Sequence, residues 1–305
     1  MSPASNTSPK QQRRAYWAWV AVCLSWGTTY LATSIAIESI PPFAMAGPRH
    51  VVAGVILALV LRARGIRLPP RDAWRGHALL GFLMVGMGNG CLVWAQQFLP
   101  SGVAAVMVAM IPFWMIAVEA LMPGGEKIHL RQMIGLLLGF GGIFLLASSS
   151  LQTNGASVTN IIFGVIMVQL ACLGWSLGST YAKRHRREEN LFAATAAQII
   201  FGGLVLMLAA TLTGEWSQVH PTPRSMAAVT YLIVVGTFVG YVCYVYALKH
   251  LPVSIVSLYA YANPLIAVIL GSIILNEPFT RRMAVATGII FAAMVIVRSA
   301  DTSRS

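Results

Sequence analysis

The chain has 305 residues, 57% of them hydrophobic and only 10% charged, with a mean hydropathy of +0.72. Soluble domains carry about 25% charged residues, so this composition excludes a water-soluble fold and requires burial in lipid. The formal net charge of +12 would suit a nucleic-acid ligand, but the placement of the charges argues otherwise.

Ten apolar runs follow one another at about 15–37, 43–62, 77–97, 101–121, 131–148, 160–181, 191–213, 225–248, 252–275 and 283–298. Runs near 20 residues match the thickness of a bilayer, and lipid offers the backbone no hydrogen-bond partner, so each is predicted as a spanning helix. The first run carries Trp26 and Tyr30, and the second carries Arg49 and His50. Arg49 stands about six residues from one end of its run, roughly 9 Å at 1.5 Å per residue. The third holds Asn89 between Gly86 and Gly90, with Trp94 beyond. Trp175 belongs to the sixth, Tyr241 and Tyr244 to the eighth. In the ninth, Tyr259 and Asn263 lie one turn apart, and Pro264 follows directly, which frees a carbonyl and favours a kink. Loops are short and rich in Pro, Gly and charge, so the fold is predicted as all-α and polytopic with no soluble domain.

Orientation follows from Lys and Arg. With the N-terminus placed in the cytoplasm, 17 fall inside and only Arg224, Arg281 and Arg282 outside, while Arg49 is the remaining one of the 21. That asymmetry predicts cytoplasmic termini and assigns the basic balance to topology rather than to nucleic acid. The first run is longer than a signal-peptide core of about 7–15 residues, so it reads as an uncleaved helix. The four cysteines, Cys23, Cys91, Cys172 and Cys243, all lie within runs, which argues against a disulfide framework.

Those cysteines also mark a repeat. Cys23-Leu24-x-Trp26 returns 149 residues later as Cys172-Leu173-x-Trp175. Gly88, Cys91, Val93, Ala95, Leu99, Pro100 and Pro112 return at a spacing of 152 as Gly240, Cys243, Val245, Ala247, Leu251, Pro252 and Pro264. Two five-helix units are predicted, 15–148 and 160–298, between cytoplasmic tails 1–14 and 299–305. Five crossings per unit force the second copy to run opposite to the first. Inverted repeats of this kind characterise secondary transporters, whose substrate site lies near midplane between the repeats.

The residues also resemble a known family. Ser25-Trp26-Gly27-Thr28-Thr29-Tyr30, Pro48-Arg49 with Ala53-Gly54, Gly88-Asn89 through Leu99-Pro100-Ser101-Gly102, Tyr259-Ala260-Tyr261-Ala262-Asn263-Pro264-Leu265 and Leu275-Asn276-Glu277 are similar to the EamA family of the drug/metabolite transporter superfamily. The resemblance covers nearly the whole chain and is specific for the family rather than the substrate. It implies a bacterial inner-membrane carrier, often an exporter of amino acids or related metabolites, with a central cavity between the halves.

Polar groups in a bilayer are costly and so are candidates for function. Arg49 is expected to engage or gate the substrate, against the simpler role of snorkelling to the interface. Trp26, Tyr30, Asn89, Trp94, Trp175, Tyr241, Tyr244, Tyr259 and Asn263 are expected to line the cavity, with core packing as the competing role for each aromatic. His50 reads as a ring packed among helices. Trp17, Trp19 and Trp216 read as interfacial aromatics. Gly174-Trp175-Ser176-Leu177-Gly178 matches a nucleophile elbow, but that motif needs a strand–turn–helix and acid and histidine partners, which a spanning run lacks. No phosphate loop or metal-ligand spacing is present, so no cofactor and no enzyme activity are expected. The alternative is a non-transporting membrane receptor or intramembrane enzyme. The expected partners are a small-molecule substrate and the lipid bilayer. The sequence leaves oligomeric state open, a monomer being consistent with it, and leaves coupling and direction open as well.

Overall fold

A computed structural model describes residues 9–123, 130–153, 157–185, 189–251, 253–256 and 258–302. Helices occupy the position of every expected run: α1 (Lys10–Ile37), α2 (Pro42–Ala63), α3 (Arg71–Ala95), α4 (Ser101–Leu121), α5 (Leu130–Thr153), α6 (Val158–Arg184), α7 (Leu191–Leu212), α8 (Pro223–Tyr244, helical on to His250), α9 (Tyr259–Ile274) and α10 (Arg281–Thr302). Among the described residues, eight helices, α1 to α8, are long and apolar enough to cross a membrane; α9 is apolar but shorter. The chain is a multi-pass, all-helical membrane protein.

Helix ends follow local chemistry. Ser157 and Asn190 accept the first free N–H groups of α6 and α7, and Thr222 with Ser225 forms a reciprocal cap ahead of α8. Pro42 and Pro223 open α2 and α8, where a missing N–H costs nothing. Four helices are interrupted, among them α4, where a turn at Ala109 and Met110 separates Ser101–Val108 from Ile111–Leu121. In α1 a turn at Thr28 separates Pro9–Gly27 from Thr29–Ile37. In α3 and α8 the ladder widens to π-type bonding over Gly81–Asn89 and Leu232–Val239, two segments at equivalent places in the repeat. Such bulges re-aim the side chains that follow them.

Packing obeys the exchange of α1–α5 with α6–α10. The pairs α2/α7, α4/α9 and α5/α10 map onto themselves, while α3/α6 maps onto α8/α1, α4/α6 onto α9/α1 and α3/α7 onto α8/α2; all are in contact. The sequence repeat is therefore a structural one. The α2/α7 crossing depends on small residues: a Cβ on Gly203 would stand 2.8 Å from the Val51 nitrogen and 2.9 Å from the Gly47 carbonyl. The largest buried cluster centres on Phe113, Met107 and Met110 of α4, with Leu146 of α5 and Ile290 of α10.

Trp19 departs from the interfacial role expected of it. Its Nε1 donates to the Val256 carbonyl at 3.3 Å, and its ring packs with Ala247, Leu251 and Val256. Trp17, with 68% of its surface exposed, fits the interfacial role.

Candidate functional site

Arg49 faces α3 because the neighbouring positions of α2, Gly47 and Gly54, are pressed against α7. It is buried, with 7% of its surface exposed, and so does not snorkel. Its Nη2 donates to Oδ1 of Asn89 at 3.2 Å and meets Nε2 of His50 at 3.1 Å. The other ring nitrogen of His50 lies 2.6 Å from the Ala46 carbonyl, which can only accept. That contact places the imidazole proton on Nδ1 and leaves Nε2 to accept from the guanidinium, an assignment made from the bonding pattern. Asn89 is the last residue of the π-type segment of α3, half-buried and aimed at α2.

The second cluster joins α1, α8 and α9. Trp26 lies 4.9 Å from Tyr259 and 5.1 Å from Tyr244, ring centre to ring centre, and the two tyrosines are 5.8 Å apart. Tilted and edge-to-face contacts of this length are favourable aromatic geometry. The indole Nε1 donates to the Gly236 carbonyl at 3.1 Å, within the π-type segment of α8, where helical bonding is loosened. Gly240 makes this approach feasible, since a Cβ there would collide with the indole. Beside it, the Thr28 hydroxyl is 2.7 Å from that of Tyr231 and donates to the carbonyls of Leu24 and Ser25, which fixes the break in α1.

Asn263 is buried and acts as a brace. In the amide orientation that satisfies its neighbours, its nitrogen donates to the Cys23 carbonyl at 3.2 Å and to the Tyr259 carbonyl at 3.0 Å, which ties α9 to α1. Trp175 rests over Gly88, whose Cβ position is 3.6 Å from its ring, the repeat counterpart of Trp26 on Gly240. Tyr30 is half-buried beside Cys172 of α6. Trp94 stacks edge-on with Phe98, in the turn that follows α3, at 4.9 Å. Among the described ring contacts, neither Trp94 nor Trp175 joins the Trp26 cluster. The side chain of Tyr241 lies outside those described.

Several groups at the site had not been singled out in the sequence as site residues. Gln96, buried near the end of α3, donates to the Tyr30 carbonyl and to the Ser34 hydroxyl, both at 3.0 Å. It lines a cavity of about 450 Å³ together with Ser34, Gln97 and Asn160 and with Asn276 and Glu277 after α9. Both halves of the chain contribute to its wall. Glu277 is held by the first N–H groups of α4, those of Ser101 at 2.7 Å and Gly102 at 3.1 Å, favourable for an anion at a helix start. Asn276, with φ of 53°, makes the sharp turn that delivers it. Glu215 performs the same service for α2, accepting from Ala44 N–H at 2.8 Å. Burial pushes its carboxyl above the usual carboxylate range, and the N–H groups of Ala44 and Phe43 offset part of that rise.

Among the described residues no three His, Cys, Asp or Glu side chains converge as metal ligands would. The site is thus a buried guanidinium with polar neighbours, an aromatic cluster at the helix breaks, and a polar cavity between the halves. Such a set is chemically able to hold a ligand by hydrogen bonds, charge and ring faces.

Comparison with known proteins agrees with this architecture. The model of the EamA-like transporter family matches twice, over residues 13–148 and 162–299. The uncharacterized inner membrane transporter YedA of Escherichia coli (strain K12) is 33% identical over 281 residues, covering 92% of this chain and 89% of its own. Protein PecM of Dickeya dadantii is 29% identical over 285 residues, covering 92% and 91%. A solved crystal structure 20% identical to this chain has a TM-score of 0.63 over 93% of this chain and 96% of its own, which speaks for the fold alone. Two matches in tandem, on the two halves that pack by exchange, establish that this chain belongs to the EamA-like transporter family.

Proposed function

We propose that the protein is a secondary carrier of the bacterial inner membrane that moves a small polar metabolite, an amino acid or related compound, outward by alternating access. In this reading all ten helices cross the bilayer, both termini are cytoplasmic, and the two units are 15–148 and 160–298. No catalytic group takes part. The observation that carries the reading is the packing of the two halves by exchange, with a buried cation and an aromatic cluster set at their helix breaks. A scaffold with this symmetry has two equivalent arrangements, which is what alternating access requires.

Arg49 engages a carboxylate of the substrate through its planar fork, a geometry Lys lacks. Asn89 and His50 hold that fork in place. Trp26, Tyr244 and Tyr259 present ring faces to the apolar part of the ligand, with Tyr30, Trp94, Trp175, Tyr241 and Asn263 around them. The 450 Å³ cavity is the outer vestibule of the same path, since it lies at the end of the bundle away from most of the arginines. Growth tolerance and efflux of candidate amino acids in cells overproducing the protein test the reading. Uptake or efflux of a carboxylate-bearing metabolite that requires Arg49 supports it. Unchanged fluxes across a broad panel, with the protein correctly inserted, would favour the receptor alternative.

A further inference from the structure

The end of the bundle where α2 hands over to α3 carries Arg62, Arg64, Arg67, Arg71 and Arg75, all exposed, with Asp72 as the one acid among them. The turn that bears them is braced. The N–H groups of Gly65 and Ile66 donate to the carbonyls of Arg62 and Leu61, and Ala73 N–H donates to that of Pro70, each at 3.0 Å. The indole of Trp74 donates to the Pro69 carbonyl at 3.3 Å. Ile66 packs into the cluster of Leu57, Leu61, Ala193 and Ala196. A charge signal for insertion topology requires none of this order.

Two other carboxylates are paired with cations outside the turn, Glu189 with His77 and Glu119 with Arg184, both at 2.8 Å, which leaves five arginines against Asp72 on the turn itself. No ion pair among the described residues takes one of the five arginines. Arg67 lines a cavity of about 260 Å³ between residues 66–70 and the start of α7, where Glu189 and Asn190 complete the polar part of the wall. On α3, which follows the turn, Trp74, Leu79 and Phe82 are exposed apolar side chains, Trp74 and Phe82 each to 48%. The recess itself holds one arginine and one carboxylate, the latter taken by His77, but the turn around it adds four more exposed arginines, so the surface carries an excess of positive charge beside apolar side chains, which suits one kind of partner.

We propose that this surface binds an anionic phospholipid, with its phosphate on Arg67 and the neighbouring arginines and its acyl chains along Trp74, Leu79 and Phe82. Guanidinium suits phosphate by charge and by paired donors. Trp74 sits at the boundary between headgroup and chain, where amphipathic rings are favoured. The bound lipid would fasten the α2–α3 turn, and with it the helices that carry Arg49 and Asn89.

The test uses the full chain reconstituted in nanodiscs of equal phosphatidylglycerol and phosphatidylcholine, with retained lipid counted by native mass spectrometry. The parent should retain phosphatidylglycerol in preference to phosphatidylcholine. Each arginine near an anionic surface is worth about a fivefold change in binding, so Arg67→Gln should lose about fivefold and the Arg67→Gln/Arg71→Gln/Arg75→Gln variant about a hundredfold. Arg281→Gln/Arg282→Gln, at the other end of the bundle, should lose nothing. Equal retention of the two lipids by the parent, or undiminished retention by the triple variant, would reduce the arginines to a topology signal and overturn the proposal. Competition by millimolar glycerol 3-phosphate that empties the site would also overturn it, because the chains would then play no part. Should the triple variant fail to insert, Arg67→Gln alone decides, and unchanged retention there sinks the lipid site.

Discussion

Replacing Asn89 by Ala and Arg49 by Lys or Ala separates a ligand-binding guanidinium from a structural one. Asn89→Ala removes one bond, the 3.2 Å contact to Nη2, and leaves Arg49 in place. Interhelical hydrogen bonds inside membranes measure about 0.6 kcal/mol on average and reach about 1.7, so a loss near 1 kcal/mol is expected. Arg49→Ala also strips the 3.1 Å contact to His50 and leaves two polar groups buried, for about 2–3 kcal/mol. Arg49→Lys keeps the charge but offers a single compact donor, which serves one partner at a cost of about 1 kcal/mol. Thermal unfolding in detergent reads these differences. Counterflow in proteoliposomes reads transport, once a substrate is in hand. If the fork holds a carboxylate, both Arg49 variants lose more than ~100-fold in transport, equivalent to about 2.7 kcal/mol. Asn89→Ala, matched to Arg49→Lys in stability, should lose several-fold only. Transport by Arg49→Lys at the parent's rate refutes the clamp, and equal losses in all three variants make the cluster a structural one.

Four further outcomes are expected. Gly240→Ala drives a methyl group into the indole of Trp26 and should cost about 1–3 kcal/mol in thermal unfolding, as overpacked sites do; an unchanged melting temperature would mean that the two helices separate at no cost. Asn263→Ala releases the carbonyls of Cys23 and Tyr259 and should cost about 1–2 kcal/mol in thermal unfolding; an unchanged melting temperature would mean that the amide braces nothing. Glu215 binds its proton more tightly when folded, so its contribution to stability is present at acid pH and is lost as pH rises through the raised value. Glu215→Gln should flatten that part of a melting curve recorded against pH, and a slope that persists in the variant would assign it to another group. Single cysteines in the 149–159 and 214–224 loops should react with an impermeant thiol reagent on intact cells, and those in the 62–76 and 182–190 loops should not; labelling at 182–190 would contradict the inverted topology.

The helices were legible because lipid demands length and apolarity and little else. The run read as 43–62 folds as Pro42–Ala63, and that read as 191–213 as Leu191–Leu212. Polar residues at the water boundary carry no such signal. Thus α1 begins well before residue 15, in a basic turn, and the run read as 252–275 is divided into Val253–Val256 and Tyr259–Ile274. The π-type segments were not legible at all. They arise where α3 and α8 each cross two helices of the opposite half, and paired glycines mark close approach without saying how the ladder will bend. Trp26, Tyr244 and Tyr259 were expected among the residues lining one cavity, and the three touch one another. Trp94 was named on the same grounds, yet it stacks on Phe98 in the turn directly after its own helix. Arg49 and Asn89 are 40 residues apart, and only the bulge ending at Asn89 joins them.

The exchange of the halves is close in backbone and poor in chemistry. Trp26 donates to Gly236 and nests on Gly240, whereas the ring of Trp175 keeps an ordinary van der Waals distance from Gly88. At the 152-residue spacing, Tyr244 and Tyr259 correspond to Leu92 and Met107, so the aromatic cluster has an aliphatic counterpart. At the 149-residue spacing of the two tryptophans, Arg49 corresponds to Gln198, so the buried cation too belongs to one half. A metabolite has no two-fold axis, and a site lined equally by both halves would present the same group to both of its ends. Small residues and helix breaks, which set how helices slide and approach, can repeat without penalty because both end states need them. In the proposed carrier, charge and ring faces confined to one side would fix a single orientation of the ligand while the scaffold around it changes.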